Sequence, residues 1–175
     1  EYLTDVGPSM EVFFHGGISF EPYRDQYKAL IPSNRMHYME TYNASEGFFG
    51  LQDDPAEHSL LLMIDYGVFY EFIPINEVGR EHPTVLPLEA VEVGKNYAMV
   101  ITTSGGLWRY QIGDTVRFTS LYPHTFVISG RTKNFINAFG EELMVDNADK
   151  AISSVCRQTG AKVKEYTAAP LFMLD

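Results

Sequence analysis

From Ser59 to Ile128 the chain is a succession of short apolar runs, rich in β-branched and aromatic residues, most of them bounded by glycine or proline. That pattern confines it to a sheet-rich fold. Ser59–Ile64 and Val68–Pro74, separated by Asp65-Tyr66-Gly67, are expected to form a hairpin. Glu77–Pro87 is polar and proline-containing, hence a loop. Ala90–Gly94 and Asn96–Thr103 supply two further strands, Ser104-Gly105-Gly106 a turn, and Leu107–Ile112, Thr115–Thr119 and Phe126–Ile128 three more. Short strands with glycine turns between them predict a curved antiparallel sheet or partial barrel.

Within that series, Gly113-Asp114 closes one strand and Gly130-Arg131 makes a later turn, which can set a carboxylate beside a guanidinium. Such a pair suits two neighbouring sugar hydroxyls, with Asp114 accepting and Arg131 donating. The alternative is an ordinary Gly-Asp turn and a surface arginine, which spacing alone favours.

The N-terminal third has a different rhythm. Met10–Ile18 reads as a buried strand running into a glycine turn. Glu21–Ile31 reads as a helix, with Pro22 in its first turn, Tyr23, Tyr27, Leu30 and Ile31 on one face, and Pro32 ending it. Gly16 and Gly17 either let a ligand approach the backbone or simply make the turn. His37–Tyr42 is the next strand and opens into Asn43-Ala44-Ser45-Glu46-Gly47. Tyr42 offers a ring face, Ser45 a hydroxyl for a phosphate, and Glu46 a hard oxygen ligand for Mg²⁺; a plain polar loop built on Asn43 or Ser45 is the competing reading.

Beyond Arg131, Phe135–Gly140 is a short strand. Asp146 is placed to cap a helix whose positions Ala148, Ile152, Val155 and Cys156 share a face, Gly160 is placed to end it, and Lys162–Leu174 forms a last strand or strand pair. The expected class is therefore α/β, or mixed α+β. Residues 1–130 would be the C-terminal portion of a large domain, 131–134 a hinge, and 135–175 the start of a small α+β domain.

Composition excludes several functions. A net charge of −10 argues against a nucleic-acid face, and no apolar run approaches the roughly 18–20 residues of a membrane span. The single cysteine, Cys156, excludes an internal disulfide or thiolate cluster. The five histidines lack zinc spacing, and Gly-x-Ser-x-Gly and Walker-type sequences are absent. The start has neither the basic nor the apolar region of a signal peptide, so a cytoplasmic location is expected. With no initiator methionine, an excised or processed piece is expected too.

Taken in order, four stretches resemble the acyl-acid amido synthetases of the auxin-responsive Gretchen Hagen family, in the adenylate-forming superfamily. They are Phe14-His-Gly-Gly-Ile-Ser-Phe-Glu-Pro-Tyr23, Tyr42-Asn-Ala-Ser-Glu46, Tyr110-Gln-Ile-Gly-Asp114 and Gly130-Arg-Thr-Lys-Asn-Phe-Ile-Asn-Ala-Phe-Gly-Glu-Glu142. The chain looks like a bacterial, jasmonate-amido-synthetase-like member and a central-to-C-terminal fragment.

The resemblance implies a mixed sheet with barrel-like antiparallel strands, ATP and AMP as ligands with Mg²⁺, and a carboxylic acid and an amino acid as substrates. It implies that Tyr42 packs on adenine beside Gly16 and Gly17, with Asn43 in the same site. Ser45 would contact phosphate, Glu46 would hold Mg²⁺, Asp114 would bind ribose assisted by Arg131, and Lys133 would lie at the pivot and touch nucleotide. The implied reaction is acyl-adenylate formation followed by attack of an amino acid amine. The alternatives are a thiol acceptor such as CoA, or a non-catalytic nucleotide-binding module.

Three departures stand out. The family's Ser/Thr/Gly-rich phosphate loop and the later catalytic lysine are absent, so the piece is expected to be inactive without the rest of its parent chain. Gln111 replaces an arginine common in Tyr-Arg-x-Gly-Asp, and Arg109, two residues earlier, is either a functional replacement or an exposed strand arginine beside Trp108.

Overall fold

The computed structural model describes residues 2–17, 20, 23–132, 136–138, 141–143 and 145–167. Nine strands form one sheet: β1 (Val12–His15), β2 (His37–Ala44), β3 (Gly47–Leu51), β4 (Leu60–Leu62), β5 (Val68–Pro74), β6 (Leu86–Pro87), β7 (Asn96–Thr103), β8 (Tyr110–Leu121) and β9 (His124–Arg131). Their order is β1-β2-β3-β4-β9-β8-β7-β5-β6. Only β1 and β2 pair in parallel; the other neighbours are antiparallel. A separate two-stranded sheet joins β10 (Ile136–Ala138) to β11 (Glu141–Leu143). The helices are α1 (Leu3–Val6), α2 (Arg24–Leu30) and α3 (Val145–Thr159). No helix among the described residues is long and apolar enough to cross a membrane.

The parallel pair follows from the βα pattern of the N-terminal third, because α2 carries the chain from β1 to β2. Phe13, Phe20, Tyr27, Ile31, Met36 and Tyr38 close a small aromatic core around it. The main core lies on one face of the large sheet, where Tyr42, Phe49, Tyr70, Phe72, Tyr97, Phe118 and Phe126 meet aliphatic side chains from β4, β7 and β8. The opposite face carries a smaller cluster of Ile73, Ala98 and Val100, covered by Val78 and Val85.

Four strand steps separate β2 from β8, about 19 Å in a flat sheet at about 4.8 Å per step. Yet the Tyr42 hydroxyl on β2 lies 2.6 Å from Asp114 Oδ2 on β8. The sheet is therefore rolled about its core, as the run of short strands predicted.

Several local expectations are corrected. Leu60–Leu62 and Val68–Pro74 are not a hairpin: β4 pairs with β3 and β9, and β5 with β7 and β6. The Asp65–Gly67 turn marks a crossing of the rolled sheet instead. Ala90–Gly94 is no strand, since Leu88–Ala90 is a 3₁₀ turn and Val93-Gly94 a second turn leading into β7. Leu107–Ile112 and Thr115–Thr119 belong largely to one twelve-residue strand, β8, so Gly113-Asp114 interrupts it without ending it. Gly130 and Arg131 still belong to β9, and the turn comes at Thr132.

At the C-terminal end, α3 starts at Val145, so Asp146 is its second residue and not its cap. Gly160 ends it as expected, at φ +72°, donating its N–H to Cys156 O at 2.9 Å. Val155 is exposed, and the buried positions include the polar Asp149 and Ser153. Asp149 accepts a 2.6 Å hydrogen bond from the Tyr166 hydroxyl, which burial and that carboxylate push up to about 12. Of the expected strand over Lys162–Leu174, residues 162–167 form none, and the remainder lies outside the described residues.

Candidate active site

Asp114 owes its position to a mismatch between two strands. Val100 of β7 faces Gln111 of β8, and Ala98 faces Thr115, so Ile112, Gly113 and Asp114 stand opposite Met99 alone. The surplus forms a bulge, which Gly113 accommodates at φ +90°, a backbone region that favours glycine. Thr132 closes onto the same point, its N–H and its hydroxyl both donating to Gly113 O, at 2.8 and 3.3 Å.

Two donors hold the carboxylate. Arg131, the register partner of Asp114 on β9, donates from Nε to Oδ1 at 2.8 Å. The Tyr42 hydroxyl donates to Oδ2 from across the rolled sheet. The Asp114 side chain is 15% exposed and that of Arg131 62%, so the pair forms a rim with a buried foot. A carboxylate has about four acceptor positions. With one used on each oxygen, each oxygen keeps one, the arrangement that two adjacent hydroxyls require.

The Tyr42 ring is buried, with Phe49 and Phe126 at 5.2 and 6.1 Å between centroids. What it turns toward the site is its hydroxyl. Burial first, then the charge and hydrogen bond of Asp114, push that phenol far above its ordinary value; Glu46 adds to the shift and Arg131 opposes it. It therefore stays a proton donor throughout the working range.

The sign of the resulting pH dependence is fixed. A folded-state value raised above the unfolded one gives a contribution complete below about pH 10 and lost as pH rises, at about 1.36 kcal/mol per pH unit. Tyr42→Phe is accordingly expected to make the decline of stability above pH 10 shallower by about one proton's worth. Urea unfolding at pH 9, 10 and 11 measures this, and parallel slopes in both proteins would refute the assignment.

The remaining expected residues gather after the parallel strands β1 and β2, at the carboxyl ends where open α/β sheets bind ligands. Gly16 is dictated by packing, because a Cβ there would come 2.5 Å from Thr41 O. Gly17, at φ +86°, faces open space. Asn43 is exposed and accepts from Thr41 Oγ1 at 3.4 Å. The expected loop is shorter than the sequence suggested: β2 runs to Ala44, β3 starts at Gly47, and Ser45-Glu46 is a two-residue turn with Ser45 exposed and Glu46 half-buried. Lys133 lies outside the described residues.

No group of three or more His, Cys, Asp or Glu side chains able to hold a metal occurs among the described residues. Glu46 alone suits an ion such as Mg²⁺, which commonly takes one or two carboxylates and fills its shell with phosphate oxygens and water.

Sequence reasoning missed the hydroxyl role of Tyr42, because the residue type advertises its ring. It also missed the clasp made by Thr132 and the pairing of Arg109. Arg109 is not a strand residue; it sits in a bend before β8 at φ +47°, with Nε 3.0 Å from Glu71 Oε2.

Residues 61–131 match the model of the GH3 family central domain. Over 182 residues the chain is 34% identical to the indole-3-acetic acid-amido synthetase GH3.3 of Arabidopsis thaliana, covering 95% of the chain and 29% of that protein. Over 142 residues it is 35% identical to indole-3-acetic acid-amido synthetase GH3.8 of Oryza sativa subsp. indica, covering 73% of the chain and 23% of that protein. The chain thus spans less than a third of the length of these relatives. Its fold matches the GH3.15 acyl acid amido synthetase with a TM-score of 0.65 at 22% identity, over 87% of this chain and 27% of that one. On the matched central domain and these identities, the chain belongs to the GH3 family.

Proposed function

We propose that this chain carries the nucleotide-binding part of an ATP-dependent acyl-acid amido synthetase. The observation that carries the reading is the Tyr42–Asp114–Arg131 cluster, in which two donors orient a carboxylate and leave one acceptor position on each oxygen for the ribose hydroxyls. The reaction is attack of a small carboxylate on the α-phosphate of ATP, giving an acyl-adenylate and pyrophosphate. The amine of an amino acid then displaces AMP and forms an amide. The names of the related proteins, indole-3-acetic acid-amido synthetases, support the joining of a carboxylic acid in an amide.

In this reading Ser45 faces the phosphates, and the Gly16-Gly17 turn and Asn43 line the nucleotide pocket. Glu46 holds Mg²⁺, which when bound offsets charge on the phosphate oxygens. The attack needs charge neutralisation more than a strong base. Residues 1–130 form the C-terminal portion of the large domain, 131–134 the pivot with Lys133, and 135–175 the start of the small domain. The separate β10–β11 sheet that follows β9 supports that division.

The test is ATP–pyrophosphate exchange by the full-length protein across a panel of carboxylic acids, with Glu46→Gln alongside. Exchange is expected to require an acid. Glu46→Gln is expected to fold normally, to slow exchange by about 10–100-fold, as loss of a charge-assisted ligand implies, and to raise the Mg²⁺ concentration for half-maximal rate. ATP binding without exchange on any acid would turn the reading to a non-catalytic module, and an unchanged Mg²⁺ dependence would remove Glu46 from the metal.

A further inference from the structure

Arg109 is the sole non-glycine residue with positive φ among the described residues. Such a conformation persists only where its surroundings impose it. Here the Arg109 N–H donates to Thr102 Oγ1 at 3.0 Å, and Nε pairs with Glu71 Oε2, whose side chain is 17% exposed. Thr103 donates its N–H to Leu107 O at 2.9 Å, closing the connection just before it. All of these contacts lie at the start of β8, five residues before Asp114.

Their importance comes from a degeneracy in the pairing of β7 with β8. The bulge holds two residues more than β7 matches. If β8 slid by two toward the hairpin, that surplus would pass into the Ser104–Arg109 connection. Ala98 would still face Thr115, Met99 would face Asp114, and Val100 would face Gly113. A slip of one residue turns every side chain to the other face, whereas a slip of two turns none. Burial of apolar side chains therefore does not choose between the two registers. The slipped one is a regular ladder without the bulge that presents Asp114.

We propose that Arg109 makes the choice: by its left-handed backbone and its pair with Glu71 it is a positioning residue that locks the bulged register of β8 and so holds Asp114 in the site. The inference rests on the nucleotide-site reading above for its functional consequence, but the register itself can be read independently.

Two measurements on the full-length protein test it. Val100→Cys with Gln111→Cys joins partners of the bulged register; oxidative cross-linking is expected in the otherwise wild-type chain and is expected to be largely lost when Arg109→Ala is added. Equal cross-linking in both would overturn the proposal.

Calorimetric titration with ATP then compares Arg109→Ala, Arg109→Lys, Glu71→Gln and the Arg109→Ala/Glu71→Gln double variant, with Asp114→Ala as reference. Arg109→Ala and Glu71→Gln are each expected to weaken binding by about tenfold, the scale of one charge-assisted hydrogen bond. Arg109→Lys is expected to recover part of the loss, and the double variant to lie within about twofold of Arg109→Ala, as coupled residues do. Weakening by Arg109→Ala with no effect of Glu71→Gln would mean that Arg109 touches the nucleotide itself, and the positioning role would fall. If Asp114→Ala leaves ATP binding unchanged, it is the nucleotide-site reading that fails, and the cross-link still decides the register.

Discussion

Replacing Asp114 with alanine is expected to weaken ATP binding by about 1.5–3 kcal/mol, or roughly tenfold to more than a hundredfold in Kd, the range for hydrogen bonds to a charged group. The same change leaves the buried Tyr42 hydroxyl without its acceptor, since its 2.6 Å bond ends on Oδ2. That adds about 1–3 kcal/mol of lost stability. Arg131, with a side chain 62% exposed, turns to water at little cost. Asp114→Asn separates the two effects: one amide oxygen still accepts from Tyr42, while the acceptor pair for two hydroxyls is gone. Stability should therefore recover largely, and binding should not. Calorimetric titration of ATP, with urea unfolding of each variant, measures both. Wild-type affinity in a folded Asp114→Ala protein would remove this residue from the site.

Phe126→Ala is expected to be the more damaging change to the fold, at about 3–5 kcal/mol for a fully buried phenylalanine. Phe126 is 0% exposed and stands among Tyr42, Phe118 and the bare backbone of Gly50. A Cβ on Gly50 would come 2.9 Å from its Cζ and 3.1 Å from Leu60 Cβ, so the ring occupies the space that the glycine leaves. Gly50→Ala alone should therefore destabilise by overpacking, about 1–3 kcal/mol. In the Phe126→Ala background the added methyl enters the vacated volume, and its cost should shrink or reverse. Urea midpoints for the four proteins of this cycle test the claim, provided the slopes stay equal. Strict additivity would show that the two residues do not share that space.

Much of the fold was legible because local chemistry and tertiary context agree. Val68–Pro74 has the strand bounds its pattern gives, and Gly160 ends α3 because the helix needs a residue at positive φ there. The pairing of β4 was not legible. A turn sequence says that the chain reverses but not which edge it joins, and in a rolled sheet consecutive strands can lie far apart. The site divides in the same way. Asp114 and Arg131 could be paired from sequence because they sit on sequential strands. The Tyr42 hydroxyl could not be placed, since its contact crosses four strand steps. Gly113 was misread as a strand end because a glycine bulge and a glycine turn have the same composition.

Register pairing of Asp114 with Arg131 also bears on the order in which the site assembles. Their contact spans 17 residues of chain, all within the β7–β8–β9 meander, whereas the contact of Tyr42 with Asp114 spans 72. Loop closure grows as the logarithm of length, so the longer contact costs about 1.3 kcal/mol more in chain entropy. The charged pair is thus a local product of hairpin formation, and the tyrosine arrives only when the N-terminal strands dock. Mutations in β1, β2 or α2 should slow completion of the site and leave its charged half intact, and the rate at which ATP-binding capacity returns on refolding should track docking of the chain's first fifty residues.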